Sequence, residues 1–470
     1  MPTSRLEIDL SAIGRNLAIF REMLTAPSLA SPDAAGAAPI APKSVPAICA
    51  VIKQDAYGLG AVRIARKVAS CGSGTADLLA VFSLDEARAL ADEPMRTPVL
   101  VLMPTRTIDR ADPVYRLAVA GRLHFVLHDL GQAKELAATA AKLGCQLPVH
   151  VQLDTGMSRG GAMEPEATAL VTFALSATRL TLAGFMTHFS SPGSDDAYTR
   201  EQARAFRTWI DAVRPMTKAA LGPGVSSAAP LRIHAANTAA CIKGRAFHGN
   251  MIRIGQGLYG LGAEAFAASA GAASPDFAAA ALKLQPALRW VSRIVHVHEV
   301  PAGSPVGYNR AFVTKRPTRV ALVPVGYADG LPVSLSNLGH VVLTGEPWDR
   351  PRTQAATALA ATATLAPIIG RISMDQFTID VTDLPDALAA VGQEVEIIGR
   401  DVSRSNHLPS IAAAAGTITH ELLCRFSPRI ERVYTATSAQ QESANSAADG
   451  DPTKPATTIM QVGKPLNLAV

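Results

Sequence analysis

The sequence is poor in aromatic residues and in charge for a chain of 470 residues. Phe, Trp and Tyr make up 5% of the chain, and Asp, Glu, Lys and Arg make up 18%, whereas hydrophobic residues make up 48%. So few charges among so many apolar residues exclude a disordered chain and indicate a globular protein. The length exceeds one typical hydrophobic core, so we expect two domains with some dispensable segments.

Cysteines are also few, and their spacing indicates no metal site. They are odd in number, far apart and without a Cys-x-x-Cys pair: Cys49, Cys71, Cys145, Cys241 and Cys424. This pattern favours neither a disulfide framework nor a zinc site, and it fits a reducing compartment.

Long hydrophobic runs are missing as well. The longest weakly polar stretch, AATALAATATLAPIIG, is interrupted by threonines and a proline, and the N-terminus has no apolar signal-peptide core. We therefore expect a cytoplasmic protein without a membrane segment. The net charge of +5 comes from scattered basic residues, so we expect a small anionic ligand rather than nucleic acid.

The first half of the chain alternates short apolar runs with segments of helical periodicity, which is typical of parallel β/α units. Eight such units close a barrel, so we predict an N-terminal (β/α)8 barrel over residues 1–260. The eight runs lie at 47–53, 78–84, 98–103, 123–128, 148–154, 182–188, 231–237 and 251–257.

From about residue 284 the pattern changes to strands separated by Gly, Pro and Asp turns, as in DQFTIDVTD and EVEIIG. We predict a second, mainly-β domain over 284–435. Three segments of biased composition, 26–46, 352–366 and 436–470, are expected to be loops or disorder without chemistry.

Polar residues occur where several of the eight apolar runs end, and in such a barrel the active site lies at the C-terminal ends of the strands. They include Lys53 after the first run, Arg159 after the fifth, His188 after the sixth, Asn237 and Thr238 after the seventh, and Arg253, Gly255 and Gln256 on the eighth. The glycines and the hydroxyl of the last two runs are typical of a phosphate cradle. A lysine facing that cradle indicates pyridoxal phosphate held as a Schiff base.

The sequence resembles the bacterial alanine racemases over nearly the whole chain outside the three biased segments. The matching motifs occur in the family's order and are IDLSAIGRNL (8–17), AVIKQDAYGLG (50–60), LDTGMSRGG (153–161), THFSSP (187–192), HAANTAA (234–240), MIRIGQGLYG (251–260), PVGYNRAF (305–312), PVGYADGL (324–331) and GRISMDQF (370–377). The resemblance implies a barrel that binds pyridoxal phosphate, a β-domain, and a homodimer in which each active site takes residues from the partner's β-domain.

The resemblance also implies roles for single residues. Lys53 corresponds to the lysine that anchors the cofactor and acts as one base, and Tyr308 to the opposite-face base from the other subunit. Racemisation is easiest with an acid/base group on each side of the substrate Cα. Arg253 corresponds to the residue at the pyridine nitrogen, where a decarboxylase on this barrel would be expected to carry a carboxylate. His188 corresponds to the imidazole stacked on the cofactor, with His234 behind it in either a structural or a network role.

The remaining implied contacts concern phosphate and substrate. Arg159 corresponds to an arginine that contacts the cofactor's phenolic oxygen and the substrate carboxylate, Met374 and Asp375 to partner-subunit residues on the substrate side, and Tyr327 to an entrance residue. The phosphate contacts that carry over are Tyr57, Asn237, Thr238, Gly255 and Gln256.

Two positions depart from the family pattern. Where many relatives carry a carbamylated lysine that orients the arginine, this chain has Gln152, so we expect Arg159 to be held by Gln152 alone or with an anion such as chloride. Pro428 stands where some relatives place a tyrosine on the phosphate.

The resemblance implies interconversion of L- and D-alanine, supplying D-alanine for peptidoglycan. Two alternatives remain at this stage. A broad-specificity racemase would be expected to carry a signal sequence, and a non-catalytic protein that binds pyridoxal phosphate would lack the β-domain with Tyr308.

Overall fold

The computed structural model describes residues 2–25, 45–221, 231–262, 275–348 and 363–436, and these form two compact units. The barrel unit spans Ile13–Gln285, and the β unit combines the residues up to Ala12 with those from Pro286 onward. Most of the three biased segments lies outside the described residues, but the end of the segment 352–366 is the start of a strand.

Eight parallel strands form the core of the barrel unit, and each overlaps one of the eight predicted runs, which confirms the predicted fold class. The first seven strands pair in the order of the sequence, and the first strand also pairs with the eighth. The seventh and eighth strands do not pair with each other. The Arg253 N–H on the eighth strand donates to Ala236 O, just after the seventh, at 2.9 Å, so the barrel is nearly closed. The strands are β2 (Ala47–Val51), β3 (Leu78–Val81), β4 (Val99–Val101), β5 (Leu123–Leu127), β6 (Leu147–Gln152), β7 (Leu180–Met186), β8 (Arg232–His234) and β9 (Met251–Ile254).

Helices follow most of these strands and cover the barrel, so the strands are buried and read as nearly continuous apolar runs. Local signals set several helix ends. Ser83 and Asp129 each accept a backbone N–H at a helix start, and Gly144 takes a left-handed φ of 70° at a helix end. The helices are α1 (Leu10–Thr25), α2 (Ala61–Val68), α3 (Leu84–Arg88), α4 (Tyr115–Val119), α5 (Leu130–Leu143), α6 (Glu166–Ser176), α7 (Asp196–Leu221), α8 (Thr238–Lys243) and α9 (Pro275–Ala281).

The β unit contains a nine-stranded, mainly antiparallel sheet. Its strands are β1 (Ser4–Asp9), β10 (Leu288–Arg293), β11 (His296–Val300), β14 (Thr318–Val323), β15 (His340–Pro347), β16 (Thr364–Ile369), β17 (Phe377–Asp380), β18 (Gln393–Ile398) and β19 (Glu431–Thr435). Their order across the sheet is β11-β14-β17-β16-β15-β18-β10-β1-β19. A small hairpin, β12 (Pro305–Val306) and β13 (Phe312–Val313), and two helices, α10 (Leu408–Ala414) and α11 (Thr419–Arg425), complete the unit.

The N-terminal strand β1 belongs to the β unit, although it was predicted as part of the barrel at 1–260. It pairs antiparallel with β10 and parallel with β19. A buried ion network adds to this pairing: Arg289 contacts Glu7 at 3.1 Å and Glu394 at 2.5 Å, and Arg5 contacts Glu394 at 2.8 Å. Breaking such a buried network leaves unpaired charge, which typically costs about 3–5 kcal/mol. Charge pairing between distant segments therefore contributes to holding the first residues on this sheet.

No helix within the described ranges combines the length and the apolar character needed to cross a membrane.

Candidate active site

The segment after β2 carries Lys53 and then turns through four consecutive left-handed residues. Gln54, Asp55, Ala56 and Tyr57 have φ between 50° and 63°, although none is glycine. This conformation costs roughly 1–2 kcal/mol per residue, and the surrounding structure has to impose it. Asp55 accepts the Ala61 N–H at 2.7 Å, and the Tyr259 hydroxyl donates to Ala56 O at 3.0 Å. The strain is thus concentrated between Lys53 and Tyr57, two of the predicted site residues.

The ends of β2, β8 and β9 meet around Gly255. The Tyr57 hydroxyl lies 2.1 Å from where a Cβ on residue 255 would be, so any larger residue there would displace the Tyr57 side chain. The Thr238 hydroxyl accepts the N–H groups of Gly255 and Gly257, both at 3.3 Å. Tyr57, Thr238 and Gly255 therefore lie together, as expected from the positions of the strand ends.

Two further residues of the predicted cradle have backbone roles. The Asn237 side chain caps α8 by accepting the Ala240 N–H at 3.0 Å. Gln256 opens the short 3-10 turn Gln256–Tyr259 that follows β9.

Arg253 is buried, with 4% of its surface exposed, and no carboxylate among the described residues contacts its guanidinium. Burial lowers its pKa to about 10, which leaves it charged at neutral pH. Cys49, its register neighbour on β2, provides no anion, because burial raises the pKa of the thiol to about 12. The acceptors of Arg253 are His234 Nδ1 (2.9 Å), His234 O (2.8 Å), Thr187 O (2.8 Å), Ala235 O (3.0 Å) and His188 Nδ1 (3.2 Å).

A chain of three histidines continues from Arg253 through the barrel interior. His234 Nε2 lies 2.9 Å from His150 Nδ1, and His150 Nε2 lies 3.0 Å from His124 Nδ1. A guanidinium can only donate, so His234 Nδ1 must accept and its proton must be on Nε2. The same argument then puts the proton of His150 on Nε2. Arg253 therefore determines the tautomer of two buried rings behind it.

We expect His124, His150 and His234 to stay neutral well below about pH 6.5, the ordinary pKa of histidine. Burial is the main cause that lowers the pKa of each ring, to about 4 for His124 and well below its usual range for the other two. The stability that comes from burying these rings in the neutral form is fully present above the pKa of histidine in the unfolded chain. It is lost as the pH falls towards the lower pKa values of the folded state. Spectra of ¹⁵N-labelled histidine should show Nε2–H rings that do not titrate down to about pH 5.5, one unit below the ordinary value.

The variant His150→Gln serves as the control for that measurement, because a glutamine amide can still accept from one neighbour and donate to the other. It should remove one set of ring signals and leave the remaining rings neutral. A buried ring of this chain that titrates near the ordinary histidine value would contradict the structure.

His188 follows β7 and lies among the cationic residues of the site. Its pKa is lowered to about 3, mainly by burial and then by the charges of Arg253, Arg159 and Lys53. Electrostatic effects of this kind fall off with distance, so all three charged side chains must lie near the His188 ring. The structure therefore brings Lys53, Arg159, His188 and Arg253 to the same end of the barrel.

The structure does not show the expected contact between Gln152 and the Arg159 side chain. Arg159 is exposed, and no hydrogen bond or ion pair restrains its side chain within the described ranges. The Gln152 amide instead donates to the neighbouring Gly160 O at 2.7 Å.

The remaining predicted residues share an exposed face of the β unit. Tyr308, Tyr327 and Met374 are 67%, 45% and 54% exposed. The Tyr327 loop joins the Met374 segment through Tyr327 N–H to Ser373 O at 3.1 Å and Ala328 N–H to Met374 O at 3.0 Å.

Asp375 and Tyr308 are also linked to the loops that carry Tyr327 and Met374. Arg429 pairs with Asp375 at 2.9 Å and with Asp329 at 2.7 Å. Gly307, directly before Tyr308, packs so closely on the Arg371 N–H that a Cβ would lie 2.6 Å from it.

Three histidines that were not predicted as site residues support the site in the structure: His124, His128 and His150. Each is a histidine within or directly after an apolar strand run, and that was the available signal.

The sequence matches the family Alanine racemase, N-terminal domain over residues 37–263 and the family Alanine racemase, C-terminal domain over residues 287–434. It is 33% identical over 432 residues to the alanine racemase of Desulfovibrio desulfuricans, covering 91% of this chain and 97% of that protein. The crystal structure of alanine racemase from D-cycloserine-producing Streptomyces lavendulae is similar at a TM-score of 0.72 and 26% identity, covering 94% of this chain and 99% of that one.

A crystal structure of alanine racemase from Bartonella henselae, with covalently bound pyridoxal phosphate, shares the fold at a TM-score of 0.68 and 24% identity, covering 92% of this chain and 100% of that one. Both units of this chain are thus similar to the corresponding parts of alanine racemases. The chain belongs to the alanine racemase family.

Proposed function

We propose that the protein interconverts L- and D-alanine with pyridoxal phosphate bound at the C-terminal end of the barrel. The observation that carries this proposal is the group of Lys53, His188 and Arg253 next to the cradle of Tyr57, Thr238 and Gly255. The similarity to alanine racemases along nearly the full chain supports the choice of reaction and substrate.

The residues present fit an anionic aromatic cofactor. Arg253 is a buried cation that meets no carboxylate in the described part of the chain, and uncompensated buried charge is costly until an anion approaches it. Arg253 and His188 would contact the pyridine ring, Lys53 would hold the aldehyde carbon, and Tyr57, Thr238, Gly255 and Gln256 would hold the phosphate, with Asn237 fixing the helix start beside them. Bound in this way, pyridoxal phosphate withdraws electrons from the substrate Cα and makes its hydrogen acidic.

Two bases on opposite faces of the substrate account for racemisation. We assign one to the Lys53 amine and the other to the Tyr308 hydroxyl, so that one side chain removes the Cα proton while the other returns a proton to the opposite face. Arg253 can only donate, which disfavours a protonated pyridine nitrogen and limits how far electrons are withdrawn. A weaker electron sink favours simple proton exchange over transamination.

The substrate carboxylate requires a cation, and Arg159 is an exposed one at the same end of the barrel. Met374 and Asp375 would line the substrate side, with the Met374 backbone N–H available to the carboxylate, and Tyr327 would lie at the entrance.

We further propose that the active sites are shared in a homodimer. Tyr308, Tyr327, Met374 and Asp375 lie on one exposed face of the β unit, and exposed aromatic side chains held in ordered loops are suited to an interface. In this arrangement the face would complete the partner's site. The product D-alanine would supply peptidoglycan synthesis.

Exchange of the Cα hydrogen in D₂O tests this function directly. The holoenzyme would be incubated with a panel of L- and D-amino acids, and deuterium incorporation and racemisation would be measured together. We expect both with alanine, in either direction, and much less with bulky side chains. No exchange with alanine would refute the proposal, and equal rates across the panel would indicate a broad-specificity racemase.

A further inference from the structure

The peptide bond between Gly160 and Gly161, directly after Arg159, is held on both of its polar groups. The Gln152 amide donates to the Gly160 carbonyl at 2.7 Å, and the Gly161 N–H donates to His128 Nδ1 at 2.9 Å. Holding this peptide at both groups requires a hydrogen-bond donor for the carbonyl and an acceptor for the N–H. An anion could satisfy only the N–H.

His128 is oriented for the acceptor role. Its Nε2 lies 3.0 Å from Leu102 O, and a carbonyl only accepts, so Nε2 carries the proton and Nδ1 has a free lone pair. Burial lowers the pKa of His128, which keeps the ring neutral. Its backbone N–H donates to Gln132 Oε1 at 2.8 Å, and Gln132 is itself buried and donates to Val126 O at 2.8 Å. The acceptor is thus anchored to the barrel wall.

The two glycines leave room for these side chains. A Cβ on residue 160 would lie 3.2 Å from His128 Nδ1, and a Cβ on residue 161 would lie 2.8 Å from the Gln152 Cγ. Gly161 also has φ of 102°, which disfavours any other residue. The sequence Arg-Gly-Gly therefore places an exposed arginine next to a tightly held peptide.

We propose that Gln152 and His128 are positioning residues that fix the 160–161 peptide and thereby aim Arg159 at the substrate carboxylate. The inference rests on the proposed function of Arg159. Because no contact within the described ranges restrains the Arg159 side chain, the direction of that side chain depends on its backbone. Two neutral side chains hold this backbone without any charge next to the arginine.

The test compares Gln152→Met and His128→Phe, which keep the volume and remove the donor or the acceptor. Each variant of the holoenzyme should raise the KM for L-alanine about tenfold, the equivalent of one hydrogen bond, while kcat changes by less than about twofold. The visible absorption of the bound cofactor should not change. Hydrogen exchange of the amides in 155–162 should become faster, and this readout does not depend on activity.

Two further variants serve as controls. Gln146→Met removes another glutamine amide that donates to a backbone carbonyl, Thr178 O, at 3.1 Å, but away from Arg159, and it should leave KM unchanged. His128→Asn should restore KM, because its Oδ1 can accept at the place of Nδ1. If His128→Asn behaves like His128→Phe, the acceptor role of Nδ1 is wrong.

Arg159→Ala separates this inference from the proposed function. If Arg159→Ala raises KM while Gln152→Met and His128→Phe leave KM and hydrogen exchange at wild-type values, the positioning role is overturned and the proposed function stands. If Arg159→Ala itself leaves KM unchanged, the substrate role of Arg159 fails and the positioning role fails with it.

Discussion

Replacing Lys53 by alanine is expected to abolish both racemisation and the visible absorption of the bound cofactor. The amine of Lys53 is proposed to anchor the cofactor and to act as one of the two bases, so the substitution removes two functions at once. A positioned acid/base group alone contributes roughly 10²–10⁴-fold, so we expect turnover to fall by at least about 10³-fold. The absorption spectrum of the purified protein and the rate of D-alanine formation measure the two effects.

The matched control is Lys134→Ala, which removes an exposed lysine from α5 and should change neither property. Added methylamine should restore part of the activity of Lys53→Ala, because a free amine can replace the missing base. Racemisation by Lys53→Ala without any added amine would contradict the assignment.

Replacing Tyr308 by alanine is expected to slow racemisation by roughly 10²–10⁴-fold, the contribution of one acid/base group. The equilibrium constant between enantiomers is one by symmetry, so kcat/KM must fall equally in both directions. The asymmetry should instead appear in exchange of the Cα hydrogen with D₂O. One enantiomer should still exchange through Lys53, whereas exchange of the other should be lost.

Tyr308→Phe is the sharper variant, because it keeps the ring and removes only the hydroxyl. It should reproduce the exchange pattern of Tyr308→Ala. Small and equal losses of exchange with both enantiomers would argue against a base on a single face. Since Tyr308 is 67% exposed, neither substitution should reduce the stability of the β unit substantially.

Much of the fold could be predicted from the sequence because its signals are local. A parallel strand buried on both faces is a short apolar run wherever it occurs, and eight such runs were found at the positions of the eight barrel strands. The pairing of β1 with β10 and β19 was not predictable in this way. It depends on partners nearly 300 or more residues away, and a six-residue segment carries no information on which sheet receives it.

In the candidate site, too, some features could be predicted from the local sequence and others depend on the tertiary structure. Polar residues at strand ends could be identified because the barrel fold assigns those ends to one rim, and the structure brings Lys53, His188 and Arg253 together there. The left-handed turn from Gln54 to Tyr57 was not predicted, because it contains no glycine and only Asp55 is of a type that tolerates this conformation. Contacts from Ala61 and Tyr259 help to hold it.

The sequence by itself determined the two-unit architecture, the alanine racemase family and the residues that bear the proposed chemistry, because hydrophobic period and motif order are properties of the chain. Only the tertiary structure decided what surrounds those residues. Arg253 is buried with neutral acceptors around it, the histidines behind it have fixed tautomers, and the exposed Arg159 precedes a peptide held by Gln152 and His128. Burial and hydrogen-bond direction depend on distant segments meeting, and no local pattern in the sequence records them.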